Sequence, residues 1–230
     1  LLRRADREIR DAIVNDEFVV HFQPVVSLQN MRIVTMEALV RWDHPTRGLL
    51  SPSAIIATAE LHGSILDLGN VVLEKACTQA AAWRASGADI DVSVNLSARQ
   101  LSDPDLHHRI TKVLEQTGLA PHHLWLEVTE TALVEEVGRA TAVLDRLAAI
   151  GVRFAIDDFG TGWASLTYLQ RFPIHELKID RSFVAGVGHN ANDTAIARSI
   201  IALGAELDLV VIAEGIETVE QMTALQGLGC

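Results

Sequence analysis

Seven short apolar stretches of this 230-residue chain carry polar groups at alternate positions, and helical stretches separate them. Strands are expected at 18–26, 33–41, 90–96, 124–129, 153–158, 176–180 and 209–214. A charged amphipathic helix is expected over the first ~15 residues. Further helices are expected near 52–62, 65–86, 104–117, 135–149, 164–171, 193–206 and 217–226, with starts at Pro52, Pro104 and Asp193-Thr194. Strands alternating with helices imply a parallel sheet, either an open doubly wound sheet or a barrel. The side-chain alternation separates the two. Val92, Val94 and Leu96 share one face, and Asp91, Ser93 and Asn95 the other. Leu124, Leu126 and Val128 oppose Trp125, Glu127 and Thr129, and Leu177 and Ile179 oppose Lys178 and Asp180. An open sheet covered on both faces by helices would be apolar on both. A barrel packs one face under helices and gathers the other into a common interior, with the site at the carboxyl ends of the strands.

At 49% hydrophobic residues the chain is long enough for one large domain or two small ones. The formal net charge of -11 excludes a broad basic face, so no DNA or RNA polymer is expected as a partner. Cys77 and Cys230 are the only cysteines, too few for a disulfide framework or a zinc-type spacing. That usage fits a cytoplasmic setting. The first residues do not read as a signal peptide, and no apolar run approaches membrane-spanning length, so no membrane contact is expected of this chain.

The chemistry concentrates where strands end. Phe154-Ala155-Ile156-Asp157-Asp158 runs straight into Phe159-Gly160-Thr161-Gly162. Neighbouring strand residues point to opposite faces, so two adjacent acids serve one site only where the chain bends; Gly160 and Gly162 are read as the source of that bend. Two acids brought together repel, and a divalent cation relieves the repulsion. In a barrel, Glu37, Asn95, Glu127, Asp157, Asp158, Lys178 and Glu214 reach one mouth. Such oxygen ligands suit Mg²⁺ or Mn²⁺, and their number suits two ions sharing a bridging carboxylate, the arrangement used for in-line phosphoryl chemistry. Lys178 there can position the attacking water or stabilise the transition state. Arg41, on the Glu37 face, is a natural phosphate contact. Taken singly, each residue has an ordinary reading: Asn95 as a turn residue, Lys178 as an interior partner for Asp180, and Glu130 as a helix-start or supporting acid.

The ordered motifs resemble the EAL domains, a family of cyclic-di-GMP phosphodiesterases. They include Phe22-Gln23-Pro24-Val25-Val26, Glu37-Ala38-Leu39-Val40-Arg41-Trp42, Val94-Asn95-Leu96-Ser97, Leu126-Glu127-Val128-Thr129-Glu130-Thr131, the Asp157–Gly162 run, Glu176-Leu177-Lys178-Ile179-Asp180 and Ala213-Glu214-Gly215-Ile216-Glu217. The resemblance implies a TIM-like (β/α)8 barrel with an antiparallel first strand, its last strand absent from this chain, and residues 1–230 as a single domain. It implies hydrolysis of cyclic-di-GMP to the linear dinucleotide with two Mg²⁺ or Mn²⁺ ions. Glu37, Asn95, Glu127, Asp157, Asp158 and Glu214 fall at metal positions. Lys178 and Glu214 fall at catalytic ones, Gln23 and Arg41 at substrate contacts, and Glu130 where the Asp-Asp loop is held in order. The resemblance also admits a homodimer and upstream regulatory domains in a full-length, membrane-attached or soluble protein. Trp163-Ala164 depart from the family's usual tyrosine-serine beside the dimer contact. The competing reading is a cyclic-di-GMP receptor that does not hydrolyse its ligand.

Overall fold

The computed structural model describes residues 2–135, 137–162, 169 and 171–230. Helix α1 (Leu2–Val14) leads into the antiparallel strands β1 (Phe18–Val26) and β2 (Ile33–His44), and β3 (Gly48–Leu50) folds back on the end of β2. Helices α2 (Ser53–His62) and α3 (Ile65–Ala85) precede β4 (Asp91–Leu96). Next come α4 (Ala98–Leu101), α5 (Leu106–Thr117) and β5 (Leu124–Thr129), then α6 (Glu130–Glu135), α7 (Val137–Ala149) and β6 (Arg153–Phe159). The described residues end with β7 (Glu176–Ile179), α8 (Arg181–Val184), α9 (Ala191–Glu206), β8 (Val210–Ala213) and α10 (Val219–Leu228).

The sheet runs β1-β2-β4-β5-β6-β7-β8, with β3 attached to β2. The β1–β2 pair is antiparallel, and every later neighbour on the path is parallel. This is a TIM-like α/β wall with a reversed first strand. Among the described residues β8 does not pair back to β1, so the wall is open on that side. No described helix is long and apolar enough to cross a membrane.

The alternation read from the strands sets the layers. Val92, Val94, Leu96, Leu124, Leu126, Val128, Phe154, Ile156, Leu177 and Ile179 are buried in the apolar layer under the helices. The opposite face gathers Glu37, Ser93, Trp125, Glu127, Asp157, Glu176 and Lys178. The expected strands are all present, shifted at their ends by up to three residues. β2 continues to His44 because β3 pairs with its end and Trp42 packs on Phe18. Helix α2 starts at Pro52 as expected, with that residue as its N-cap, whereas two later starts follow side-chain caps. Asn190 accepts hydrogen bonds from the backbone of Asn192 and Asp193, so α9 starts before Asp193. Thr218 and Gln221 form a capping box that starts α10 at Val219, two residues later than expected. Most of the helix expected at 164–171, with Trp163 and Ala164, lies outside the described residues.

Candidate active site

Lys178 is the centre of the site. It is only 1% exposed, and its Nζ lies 2.5 Å from Glu127, 2.6 Å from Glu214, 3.2 Å from Asp157 and 3.4 Å from Glu37. Four strands therefore deliver carboxylates to one ammonium on a fifth. Asn95 stands beside them, its Nδ2 donating to Glu37 at 3.0 Å. The ordinary reading of Lys178 as a partner for Asp180 fails. Asp180 caps α8 instead, accepting from the Ser182 backbone N–H and hydroxyl.

Asp157 and Asp158 reach the same region by a different bend from the one expected. The β6–β7 register shifts between Ile156 and Phe159, and Asp158 itself takes the left-handed conformation, with φ 54°. A bulge inside the strand turns the second acid, and the glycine turn only follows it. Thr161 donates through Oγ1 to the Asp158 carbonyl at 2.8 Å. Glu130, the first residue of α6, accepts from the Gly160 N–H at 3.2 Å. A Cβ at Gly162 would lie 2.7 Å from the Glu130 Oε1, so a larger residue there would push this carboxylate aside.

One ammonium faces the carboxylates of Glu37, Glu127, Asp157, Asp158 and Glu214, and three of these acids, Glu127, Asp158 and Glu214, are raised, chiefly by burial. Burial pushes Glu127 up to about 7, against the pull of Lys178. Burial also raises Asp158, with the repulsion of Asp157 and Asp180 adding to it. Glu214 is raised by burial, with Lys178 again opposing. The surrounding acids outweigh burial at Lys178 and hold it well above the usual lysine range. Asp158 and Asp180 share a hydrogen bond, and the Ser182 hydroxyl lowers Asp180, so the pair's pKa values are pushed apart. Oxygens of Asp157, Asp158 and Glu214 lie within 4.8 Å of one another, close enough to hold a metal ion. The donor set is all oxygen, as hard divalent cations require.

The two substrate candidates sit on the rim. Gln23 is exposed and pairs across β1–β2 with Glu37. Arg41 lies four residues beyond Glu37 on the same strand face, and its guanidinium donates to the Val40 carbonyl at 2.8 Å. Among the described residues, neither side chain forms a hydrogen bond or ion pair with the Lys178 cluster. A largely apolar cavity of about 420 Å³ adjoins the site, lined by Leu39, Ile56, Leu68, Leu96 and Asn95 among others. Two acids near the cluster were not among the sequence candidates. Asp180 was signalled by its two-residue spacing from Lys178. Glu176, buried on the same face, was signalled only by that alternation.

A TIM-like wall with a carboxylate cluster at its strand ends defines a barrel protein whose centre could hold divalent metal. The chain belongs to the EAL domain family, whose model matches residues 6–230. It is 45% identical to an uncharacterized signaling protein of Caulobacter vibrioides, over 99% of this chain and 28% of that protein. It is 42% identical to the bifunctional diguanylate cyclase/cyclic di-GMP phosphodiesterase MucR of Pseudomonas aeruginosa, over 97% of this chain and 33% of that protein. The chain thus spans about a third or less of these relatives' length. Its structure matches that of the PaMucR phosphodiesterase in its c-di-GMP complex with a TM-score of 0.94, at 41% identity, over 99% of this chain and 92% of that one.

Proposed function

We propose that this chain hydrolyses one phosphodiester of cyclic-di-GMP to give the linear dinucleotide. The observation that carries the reading is the single buried ammonium of Lys178 shared by four carboxylates beside the Asp157-Asp158-Glu214 oxygens. Glu37, Asn95, Glu127, Asp157, Asp158 and Glu214 would hold two Mg²⁺ or Mn²⁺ ions. Such ions, when bound, acidify an attacking water and offset charge on the phosphodiester oxygens. Lys178 and Glu214 flank the attacking oxygen. The fixed ammonium orients it and stabilises charge that develops on the phosphate. Gln23 and Arg41 bind the substrate from the β1–β2 rim. Glu130 keeps the Asp157-Asp158 loop in order through Gly160. The relatives' names and the bound ligand of the PaMucR structure support this substrate. Residues 1–230 are read as a single domain. Homodimerisation and regulatory domains elsewhere in the full protein belong to the same proposal.

The test is to incubate the protein with cyclic-di-GMP and Mg²⁺ or Mn²⁺ and to follow linear dinucleotide by chromatography. Linear product that depends on the metal supports hydrolysis. Tight binding with the ligand left intact would make the chain a receptor instead.

A further inference from the structure

Ser93 lies on the cluster face of β4, two residues before Asn95. Its register neighbours are Glu37 on β2 and Trp125 on β5, and Asn95 in turn pairs with Glu127. The residue is 2% exposed, and its hydroxyl forms no hydrogen bond of good geometry among the described residues. Buried hydroxyls are nearly always paired, and an apolar side chain there would carry no cost of this kind. The surrounding groups narrow what the hydroxyl can serve. Trp125 is committed elsewhere: its indole N–H donates to Asp91 at 3.0 Å, and indole offers no acceptor. The two oxygens of Glu37 already accept, one from the Asn95 amide and one from Lys178. Glu127 takes Lys178 on Oε2 at 2.5 Å. Burial dominates its raised pKa, and against burial act Lys178 and, as a second side-chain donor, the Ser93 hydroxyl.

We propose that Ser93 is a positioning residue for metal binding: its hydroxyl donates to the Glu127 carboxylate and fixes the orientation in which that carboxylate serves a cation as well as Lys178. The inference rests on the metal-dependent reading of the preceding section and adds to it a residue outside the ligand set. A ligating carboxylate is itself held by hydrogen bonds, and removing such a partner weakens metal binding although no ligand is lost. Glu127 needs an internal donor more than its neighbours do. Its side chain is 2% exposed, so bulk water does not reach it, whereas Asp157 and Glu214 are partly exposed and take donors from solvent. Ser93 is placed to be that donor, because it shares the face of Glu127 and lies one strand away.

Two variants test this. Ser93→Ala removes the donor, and Ser93→Thr keeps a hydroxyl on a side chain suited to a strand. Melting temperature is measured in EDTA and across a Mn²⁺ titration, so the midpoint of the Mn²⁺ response reports metal affinity without any need for turnover. The expected result for Ser93→Ala is little change in EDTA and a Mn²⁺ midpoint ~10-fold higher than the parent's, the scale on which the supporting partners of metal ligands act. Ser93→Thr returns the midpoint toward the parent's, and Ser93→Ala decides alone where threonine is not accommodated. A Ser93→Ala midpoint within about twofold of the parent's overturns the role of Ser93 and leaves the metal reading standing. So does a folded Ser93→Thr as weak as Ser93→Ala, or a loss of stability in EDTA large enough to account for the shift. A parent whose melting temperature does not respond to Mn²⁺ removes the metal reading, and this inference with it.

Discussion

Glu176 lies beneath the site, and replacing it by glutamine should stabilise the protein by an amount that grows with pH. Its register neighbour on β6 is Ala155, which in turn pairs with Glu127 on β5, so one small side chain separates two interior glutamates. Lys178 pairs with four other carboxylates and forms no ion pair with Glu176. Burial, reinforced by Glu127 and opposed by Lys178, pushes Glu176 up to about 8 from its ordinary 4.5. The folded protein therefore keeps a proton that the unfolded chain releases above its ordinary pKa. Stability is lost as pH rises from that value toward the folded one, and the loss levels off beyond it. Each pH unit in this window removes at most ~1.4 kcal/mol from the parent. Between about pH 5.5 and 7.5 the ceiling is ~3 kcal/mol, or roughly 6–12 °C in melting temperature for a chain of this length. Glutamine mimics the protonated acid and has nothing to release. The assay is thermal and urea unfolding of parent and Glu176→Gln in EDTA, which removes cations that would themselves lower the glutamate's pKa. A gap that widens with pH is expected. A gap that stays constant across the range would refute the argument, because it would mean that Glu176 is ionised in the folded protein.

Other outcomes follow from the cluster itself. Millimolar Mg²⁺ or Mn²⁺ should raise the melting temperature, and flat melts would count against a metal site. Apparent metal affinity should increase as pH rises, since Glu127, Asp158 and Glu214 all have raised pKa values and must lose protons to bind a cation; this is read by titrations at several pH values. Lys178→Ala should lower turnover by ~10²-fold or more with a smaller change in affinity, whereas Arg41→Ala should chiefly raise KM; steady-state kinetics of both separate the roles. Glu130→Ala should leave the fold intact and shift the Mn²⁺ dependence of turnover to higher concentration, since no cluster residue is removed but the Gly160 N–H loses its acceptor. Superimposable Mn²⁺ curves would reduce Glu130 to a structural acid.

The strands were legible because each carries a period of two over several residues, with its apolar half packed under helices. The short helices α4 and α8, four residues each, were not. A single turn has no period to read, and both are held by side-chain caps, Ser97 with Gln100 and Asp180 with Ser182. β3 was missed because three residues pair only through the turn that follows β2. The cluster residues were legible because each lies on, or just past, a strand whose other face is apolar and brings a carboxylate, an amide or an amine. Glu176 and Ser93 were not singled out. An interior glutamate and a strand serine each have an ordinary structural reading, and only burial and the partners of individual atoms distinguish them. The bend at Asp158 was misplaced for a similar reason. Glycine advertises left-handed backbone in a sequence and aspartate does not, although aspartate is among the few other residues that adopt it.

That misplaced bend carries the strongest argument about what the site is for. A strand that only needed to stop could do so at Gly160, whose φ of 97° suits glycine alone. Instead the chain breaks its β6–β7 register and puts a non-glycine residue at φ 54°, which brings a second carboxylate beside Asp157 and Glu214. Both features oppose stability: left-handed backbone strains a side-chain-bearing residue, and the added charge repels its neighbours. Burial, with the repulsion of Asp157 and Asp180 adding to it, raises the Asp158 carboxyl above its ordinary range. Folding alone gives no reason for such an arrangement. A divalent cation does, because it supplies a charge that all the converging oxygens can bind. On this argument, Asp158→Asn should make the protein in EDTA more stable than the parent and should abolish most of the Mn²⁺ stabilisation. Unfolding curves with and without Mn²⁺ decide it. A less stable variant in EDTA would show that Asp158 serves the fold, and the case for a site shaped around cations would then fail.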